Sequence, residues 1–415
     1  MKWKNTSLLL TFIFIFCLSF IVLADNSTAL PEIYGKAAIT VDMQTNEIIY
    51  EKNADIKMYP ASTTKLLTAI LLEKNKKPGD MLTYTADAKA QPPSSLNRDL
   101  HAIDVGDTMS AEDVMDGLLM YSANDLAYVV AENISKDAPT FSDKMNEKVK
   151  NLNLKNTHFV TPNGLHNPSH YTTPYDMSVI ARQAFKIPRI QKAMERPANT
   201  IKTTKGLAFP IKNTNKLLGK DGCIAGKTGY TDPAGRCLVA IYNRNGRQIV
   251  GVVMGSVYDP ADSYVFNDME KIINWSYSKE TVVLHKKDSI IGRKEVTYNP
   301  ISFIGIKKSL EVPIKIKDDV TYYDNDLNKK DLKETISIKN TSVKALKGEV
   351  PLGTLTVSQR ELSKNYNIYS DLPKQILDKN VISFYAAIFI LLLILIFIFI
   401  LARIKRSRNK RRRYL

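Results

Sequence analysis

The chain has 415 residues, with 58 Lys+Arg against 42 Asp+Glu for a net charge of +16, and is 44% hydrophobic and 24% charged. That is globular composition and excludes disorder; 18 Gly, 18 Pro and three Cys exclude collagen-like and disulfide-scaffold readings. The positive charge, which at first sight resembles that of a nucleic-acid binder, is concentrated at the ends. Lys2, Lys4 and eight basic residues in 403–413 carry ten of the sixteen net charges, leaving an ordinary +6 between them.

In chain order, 1–24 opens with a short basic stretch, continues as an apolar run from Leu8 and reaches Val22-Leu23-Ala24 before the polar Asp25. This is the pattern of a cleaved secretory signal, with an uncleaved anchor as the alternative because 17 apolar residues come close to spanning. Cys17 follows Phe16, whereas a lipoprotein signal wants a small residue before its Cys. From about Pro31 to Glu280, short β-rich runs such as Ala37-Ala38-Ile39-Thr40-Val41 alternate with helical patterns, the texture of an α/β (α+β) domain.

Three short motifs in that stretch carry chemistry. In Tyr59-Pro60-Ala61-Ser62-Thr63-Thr64-Lys65 the serine and lysine stand three apart ahead of an apolar helical run, which places both on one face of a helix's first turn. A lysine there takes the serine proton once its amine is neutral, and burial near a second cation lowers its pKa. On its own, Ser-x-x-Lys reads better as an N-capping serine with an incidental surface lysine. Ser110-Ala-Glu-Asp113 opens a helix as a capping box; a second helix begins near Asn124, so Tyr121-Ser122-Ala123-Asn124 falls in an interhelical loop that presents a hydroxyl and an amide. Thr173-Pro174-Tyr175-Asp176 reads as another helix start, with N-cap, first-turn Pro and capping acid. In Gly226-Lys227-Thr228-Gly229-Tyr230 the small residues at 226 and 229 let another backbone approach an edge strand, as peptide addition requires. Lys227 supplies a cation for Lys65 and for a substrate carboxylate.

Cys223 and Cys237 flank a hairpin, and either a cross-strand disulfide or two buried thiols fits the spacing. His166 and His170 are four apart, but Pro168 lies between them and there is no His-Glu-x-x-His, so no metal site is expected. The stretch 284–369 reads as short strands, in which Leu310, Val312, Ile314 and Ile316 alternate with Glu311, Pro313, Lys315 and Lys317. Finally, 381–402 has no charge over 22 residues, about 33 Å as a helix against a hydrocarbon core of roughly 30 Å. The basic run after it stays in the cytoplasm by the positive-inside rule, which puts the rest of the exported chain outside. The basic tail therefore orients a membrane anchor, and no nucleic acid is expected as a partner.

Ser-x-x-Lys, then Ser-x-Asn, then Lys-Thr-Gly, in this order and roughly 60 and 100 residues apart, is the triplet of penicillin-recognising acyl-serine enzymes. With Met58-Tyr-Pro-Ala-Ser-Thr-Thr-Lys65, Asn156-Thr-His-Phe-Val160, Pro162-Asn-Gly-Leu165, His170-Tyr-Thr-Thr173, Tyr175-Asp-Met177, Lys347-Gly-Glu349 and Leu352-Gly-Thr-Leu355, the chain from Ile33 to Asp371 resembles the D-alanyl-D-alanine carboxypeptidases of the low-molecular-mass penicillin-binding proteins, serine peptidase family S11. The resemblance implies a DD-peptidase/β-lactamase-like catalytic domain with an antiparallel sheet and flanking helices, followed by a small all-β domain. It implies Ser62 as nucleophile, Lys65 as base, Ser122 and Lys227 as a proton relay, and Asn124, Thr228, Gly229 and Tyr230 as substrate-binding residues, with Ser62 and Tyr230 backbone N–H groups as oxyanion hole. Peptidoglycan stem peptide is the implied substrate, β-lactam antibiotics the covalent inhibitors, the cytoplasmic membrane the anchor, and no cofactor is needed.

The expected organisation is a signal at 1–24, catalytic domain at 25–282, β domain at 283–372, linker at 373–380, transmembrane helix at 381–402 and cytoplasmic tail at 403–415. Three departures from the family stand out. Tyr230 occupies a place where relatives often have His. The family commonly supplies an Arg to the substrate carboxylate about 35 residues after the Lys-Thr-Gly lysine, but 257–267 contains none and Asp262 falls near that place, with Arg236, Arg244 and Arg247 as unplaced substitutes. The C-terminal segment is apolar all round, whereas relatives often carry an amphipathic helix. A β-lactamase shares the triplet but needs a base to free its acyl-enzyme, and no Glu-x-x-x-Asn element stands at the expected place; a membrane β-lactam sensor needs a cytoplasmic effector for which 13 residues after Ala402 leave no room. An inactive wall-binding relative is the alternative that the absent Arg keeps open.

Overall fold

The computed structural model describes residues 29–300 and 307–411. The signal segment, with Cys17, lies outside them. Residues 29–32 belong to a separate N-terminal unit and carry no regular structure, while the chain from Ile33 on forms one contact unit.

The central sheet is built from β1 (Ala37–Asp42), β2 (Ile48–Lys52), β3 (Cys223–Thr231), β4 (Gly235–Arg244) and β5 (Arg247–Ser256), in the order β2-β1-β5-β4-β3 and antiparallel throughout. Its first and last segments in sequence meet at β1 and β5, so the strand pairing closes around roughly 170 intervening residues. Every residue of β1 is buried, which its near-continuous apolar run requires of a strand covered on both faces. One face packs on α1 (Lys65–Asn75), α3 (Asn124–Ile134) and α5 (Pro174–Phe185) through Ile39, Val41, Val239, Ile241, Val250 and Val252; the other packs through Ala38, Leu238 and Val253 on α7 (Tyr264–Ser278). Helix α1 is buried along its first eight residues, as a helix apolar all round must be. Between α1 and α3 lies α2 (Ala111–Asp116); α4 (Ala138–Asn151) and α6 (Pro188–Glu195) complete the helical layer. The two helix starts read from the sequence are formed: Ser110 Oγ accepts from Asp113 N at 3.0 Å and Thr173 Oγ1 from Asp176 N at 3.0 Å.

A second sheet of β6 (Ile290–Tyr298), β7 (Lys308–Ile316), β8 (Lys333–Ile338), β9 (Gly353–Gln359) and β10 (Leu362–Ser370), in the order β6-β7-β10-β9-β8, has its own core of Val312, Ile314, Ile316, Leu355 and Ile368. The alternation read from 310–316 is the inward face of β7. The two layers are locked together. Arg360, at the β9–β10 turn with φ +45°, donates to both carboxylate oxygens of Asp55 at 2.9 and 2.6 Å and lies over the ring of Tyr175; Glu361 pairs with Arg182 at 3.0 Å and Lys364 with Glu47 at 2.8 Å. The stretch around α8 (Asp326–Asp331) lies in the β-rich half of the sequence, yet Tyr323 and Leu327 are buried in the cores of the first sheet and Asn328 donates to the Ile48 carbonyl at 2.8 Å.

Helix α9 (Lys374–Arg411) is continuous, so the stretch 373–380, expected as a linker, is already helical from Lys374. Within it, Tyr385–Ser407 is long and apolar enough to cross a membrane. This stretch overlaps the expected 381–402.

Candidate active site

The strand β3 ends the sheet, and its outer edge faces the turn that carries Ser62. That turn is a 3-10 helix, Ala61–Thr64, which runs directly into α1 at Lys65. The sequence placed serine and lysine in the first turn of an α-helix; the tighter helix serves the pair better, since side chains three apart eclipse in it. Lys65 Nζ stands 2.8 Å from Ser62 Oγ.

The rest of the lysine's surroundings decide what it does. Its amine also reaches Asn124 Oδ1 and the Asn163 carbonyl, both at 2.9 Å, and the side chain is fully buried. Burial, and next the charge of Lys227, hold its pKa well below the usual lysine value. A neutral amine has two N–H groups and one lone pair. With both N–H groups accepted by fixed oxygens, the lone pair is left for the Ser62 hydroxyl proton.

Ser122 and Lys227 form a second pair. After α2 the chain makes a π-helical turn, Gly117–Tyr121, and Ser122 follows with φ +72°, in the left-handed region that a non-glycine residue adopts at a cost of about 1–3 kcal/mol. Strain of this kind marks sites where the surroundings over-determine a side chain's aim. Ser122 Oγ accepts from Lys227 Nζ at 2.7 Å, and the same amine reaches the Thr228 carbonyl at 2.9 Å. Burial pulls the Lys227 pKa down to about 7. Asn124, expected in the loop, is instead the first residue of α3, and its amide is held by bonds from Nδ2 to the Pro93 carbonyl and from its backbone N–H to the Ser94 carbonyl.

The glycines of Gly226-Lys227-Thr228-Gly229 stand at points of close approach. A Cβ at 229 would lie 2.9 Å from Ser62 N and one at 226 would lie 2.4 Å from Asn215 Nδ2. Their missing side chains admit this chain's own turns, which sets the β3 edge against the Ser62 backbone. Thr228 Oγ1 bonds Thr214 Oγ1 at 2.7 Å, and Tyr230 stands on the rim with its hydroxyl donating to Asp232 at 2.7 Å. Together Ser62, Ser94, Tyr121, Ser122, Thr214, Lys216, Thr228, Gly229, Tyr230, Arg236 and Asp262 line one cleft of about 450 Å³, a volume ordinary for small ligands.

Two groups to which the sequence reading gave no catalytic role brace the Ser62 turn. Asn163 and Gly164 bracket the Ser62 turn from below: Gly164 has φ +81°, and a Cβ on it would lie 1.9 Å from the Ala61 carbonyl oxygen. Asn-Gly is a turn signal, but nothing local says that the turn abuts residue 61. His170 accepts at Nδ1 from Val160 N at 3.0 Å, so Nε2 carries the proton and donates to Thr64 Oγ1 at 2.9 Å. Burial pushes its pKa down to about 3, which keeps it a neutral brace. The two cysteines do not face each other. Cys223 pairs in register with Tyr242 and Cys237 with Gly229, and both are free, buried thiols.

The region 24–257 matches the family model described as D-alanyl-D-alanine carboxypeptidase. The chain belongs to that family. It is 30% identical over 331 residues to the D-alanyl-D-alanine carboxypeptidase DacF of Bacillus subtilis (strain 168), spanning 78% of this chain and 82% of that protein. To DacC of Escherichia coli (strain K12), another D-alanyl-D-alanine carboxypeptidase, it is 29% identical over 299 residues, 68% of this chain and 71% of that one. The crystal structure of the Streptomyces K15 DD-transpeptidase superposes with a TM-score of 0.56 at 29% identity, covering 61% of this chain and all of that one. The family match at 24–257 spans the whole central sheet, and α7, the small β domain and the apolar C-terminal helix follow it in the chain.

Proposed function

We propose that this chain is a serine-type D-alanyl-D-alanine carboxypeptidase that removes the terminal D-alanine of peptidoglycan stem peptides and is acylated by β-lactams. Family membership supports the reaction class; the observation that carries the mechanism is the 2.8 Å contact between Ser62 Oγ and a buried Lys65 amine whose other polar contacts are already made. Ser62 Oγ attacks the carbonyl carbon of the penultimate D-alanine while its proton passes to Lys65. The Ser62 and Tyr230 backbone N–H groups receive the oxyanion, each worth about 2.7–4 kcal/mol. The C–N bond then breaks, the leaving amine takes its proton through Ser122 and Lys227, and water hydrolyses the ester. Asn124 and Thr228 hold the peptide along the β3 edge.

The protonation states set a pH profile. Lys65 works neutral and Lys227 works charged, so kcat/KM falls with acid as Lys65 gains a proton, and falls above about pH 7 as Lys227 loses its own. An acid limb in the ordinary carboxylate range with no alkaline limb below pH 9 would refute these roles.

The domain organisation follows the same reading: a catalytic domain at 25–282 and a β domain at 283–372 stand outside the membrane, a single helix crosses it, and the basic tail remains in the cytoplasm. The clamp of Arg360 on Asp55 supports a fixed spacing between active site and membrane. The direct test is D-alanine release from a pentapeptide ending in D-alanyl-D-alanine, measured with the full chain in detergent beside Ser62→Ala. Release by the wild type and none by the variant is expected; a folded wild type that releases nothing would sink the assignment.

A further inference from the structure

The substrate named above ends in a free carboxylate, and a buried or half-buried carboxylate needs a cation or several N–H donors. In this chain 257–267 supplies no arginine. Arg244 donates to the Asp221 carbonyl at 2.8 Å and to Asn274 at 2.8 Å, and Arg247 to Asp42 at 3.0 Å and to the Tyr323 hydroxyl at 2.6 Å; neither lines the cleft. Arg236 does. It is the register partner of Tyr230 on the adjacent strand, so both side chains leave the sheet on the same face, beside the Ser62 turn.

The guanidinium is held without being used up. Its centre lies 5.0 Å from the ring of Tyr230 and 4.9 Å from that of Tyr258, rings that themselves meet at 5.1 Å, so the guanidinium makes cation–π contact with both members of one aromatic pair. Its edge meets Asp262, whose Oδ1 is 2.6 Å from Nε. The N–H is not aimed at that oxygen, so the contact is an ion pair without an aligned hydrogen bond. Among the described residues its two terminal nitrogens have no hydrogen-bond acceptor. Lys216 approaches the other Asp262 oxygen at 3.2 Å and donates to the Ala261 and Asp262 carbonyls at 3.1 and 2.9 Å. Asp262 is thus a carboxylate of the chain itself, lying in the cleft against the arginine that a substrate carboxylate needs.

We propose that Arg236 is the residue that recognises the substrate's C-terminal carboxylate, and that Asp262 is a built-in competitor for it. The inference rests on the carboxypeptidase reading. The incoming carboxylate takes the two terminal nitrogens of Arg236, and Asp262 shifts toward Lys216. No other group in the cleft offers two parallel N–H donors, the geometry a carboxylate prefers. The chain carries its anion there so that the cation is not left bare in the empty cleft, at the cost of weaker substrate binding.

The experiment compares two peptides with the full chain in detergent: one ending in D-alanyl-D-alanine as the free acid, the other as its C-terminal amide. Wild type is expected to prefer the acid. Arg236→Gln is expected to lower kcat/KM on the acid roughly 10- to 150-fold, the range for a hydrogen bond to a charged group, mostly through KM, and to leave the amide within about threefold. Arg236→Lys restores part of the preference. Asp262→Asn is expected to raise kcat/KM on the acid several-fold, with the amide unchanged. Because the acid-to-amide ratio is taken on one enzyme sample, partial loss of folded protein cancels. A ratio unchanged in Arg236→Gln overturns the role of Arg236, and an acid rate that falls in Asp262→Asn overturns the competitor. Failure of wild type to release D-alanine from the acid or D-alaninamide from the amide overturns this inference together with the carboxypeptidase reading.

Discussion

Replacing Lys65 by Met is expected to slow acylation of Ser62 by at least about a thousandfold, within the 10²–10⁴ that a positioned general base contributes. Methionine matches the stem in length and keeps the buried site filled, so the loss falls on the proton transfer. Ser122 and Lys227 do not take over, because their amine is engaged with Ser122 Oγ and the Thr228 carbonyl. The same variant has a thermodynamic signature. Both buried lysines bind a proton more weakly in the folded chain than in the unfolded one. The unfolded chain therefore takes up protons, and stability rises with pH from the folded values, about 7 for Lys227, to the ordinary lysine value of 10.5. Each group contributes a slope of up to about 1.4 kcal/mol per pH unit across its window. Denaturant midpoints measured from pH 6 to 10 should rise less steeply in Lys65→Met than in wild type. Equal slopes would mean that Lys65 is charged in the native protein and is not the base.

Gly164→Ala is expected to cost about 2–4 kcal/mol of stability and to cut acylation by ten- to a hundredfold, although residue 164 touches no substrate. Alanine must adopt φ +81° there, and its Cβ must find room where the Ala61 carbonyl oxygen lies 1.9 Å away and Thr64 Oγ1 2.7 Å away. Ala61 is itself at φ +48°, so relief moves the turn that holds Ser62. A misplacement of about 1 Å at a nucleophile is worth roughly a hundredfold in rate. Gly206→Ala is the control: its φ is +89°, but nothing lies within 4 Å of its Cβ position, so it carries the backbone strain alone, about 1 kcal/mol, with acylation unchanged. Indistinguishable effects from the two substitutions would remove Gly164 from the support of the nucleophile.

Much of the site was legible because its chemistry is local in sequence. Ser62 and Lys65 are one turn apart, and Ser110 and Thr173 announce their helices by capping patterns that need no distant partner. The structure sets Ser122 opposite Lys227 and Asn124 beside Lys65, contacts that the order of motifs implied but no spacing demonstrated. Gly226 and Gly229 were legible as points of close approach, but not what approaches them. A glycine reports that something approaches closely, and here the approaching groups are Asn215 and the Ser62 turn. The disulfide alternative failed because hairpin register, which sequence symmetry cannot fix, sets Cys223 and Cys237 against other residues.

The sequence alone determined what depends on composition and short spacing: the three motifs and their order, the two kinds of domain texture, and an apolar segment long enough to cross a bilayer with its positive charge gathered at one end. Tertiary structure decided what depends on residues far apart in the chain. It brought Asn163 and His170 beneath the serine, made Tyr323 and Leu327 part of the first sheet's cores, and put Arg236, alone of three candidate arginines, in the cleft with Asp262 against it. The physical reason is that a neutral lysine and a held arginine depend on burial and on neighbouring charges, which residues distant in the chain supply.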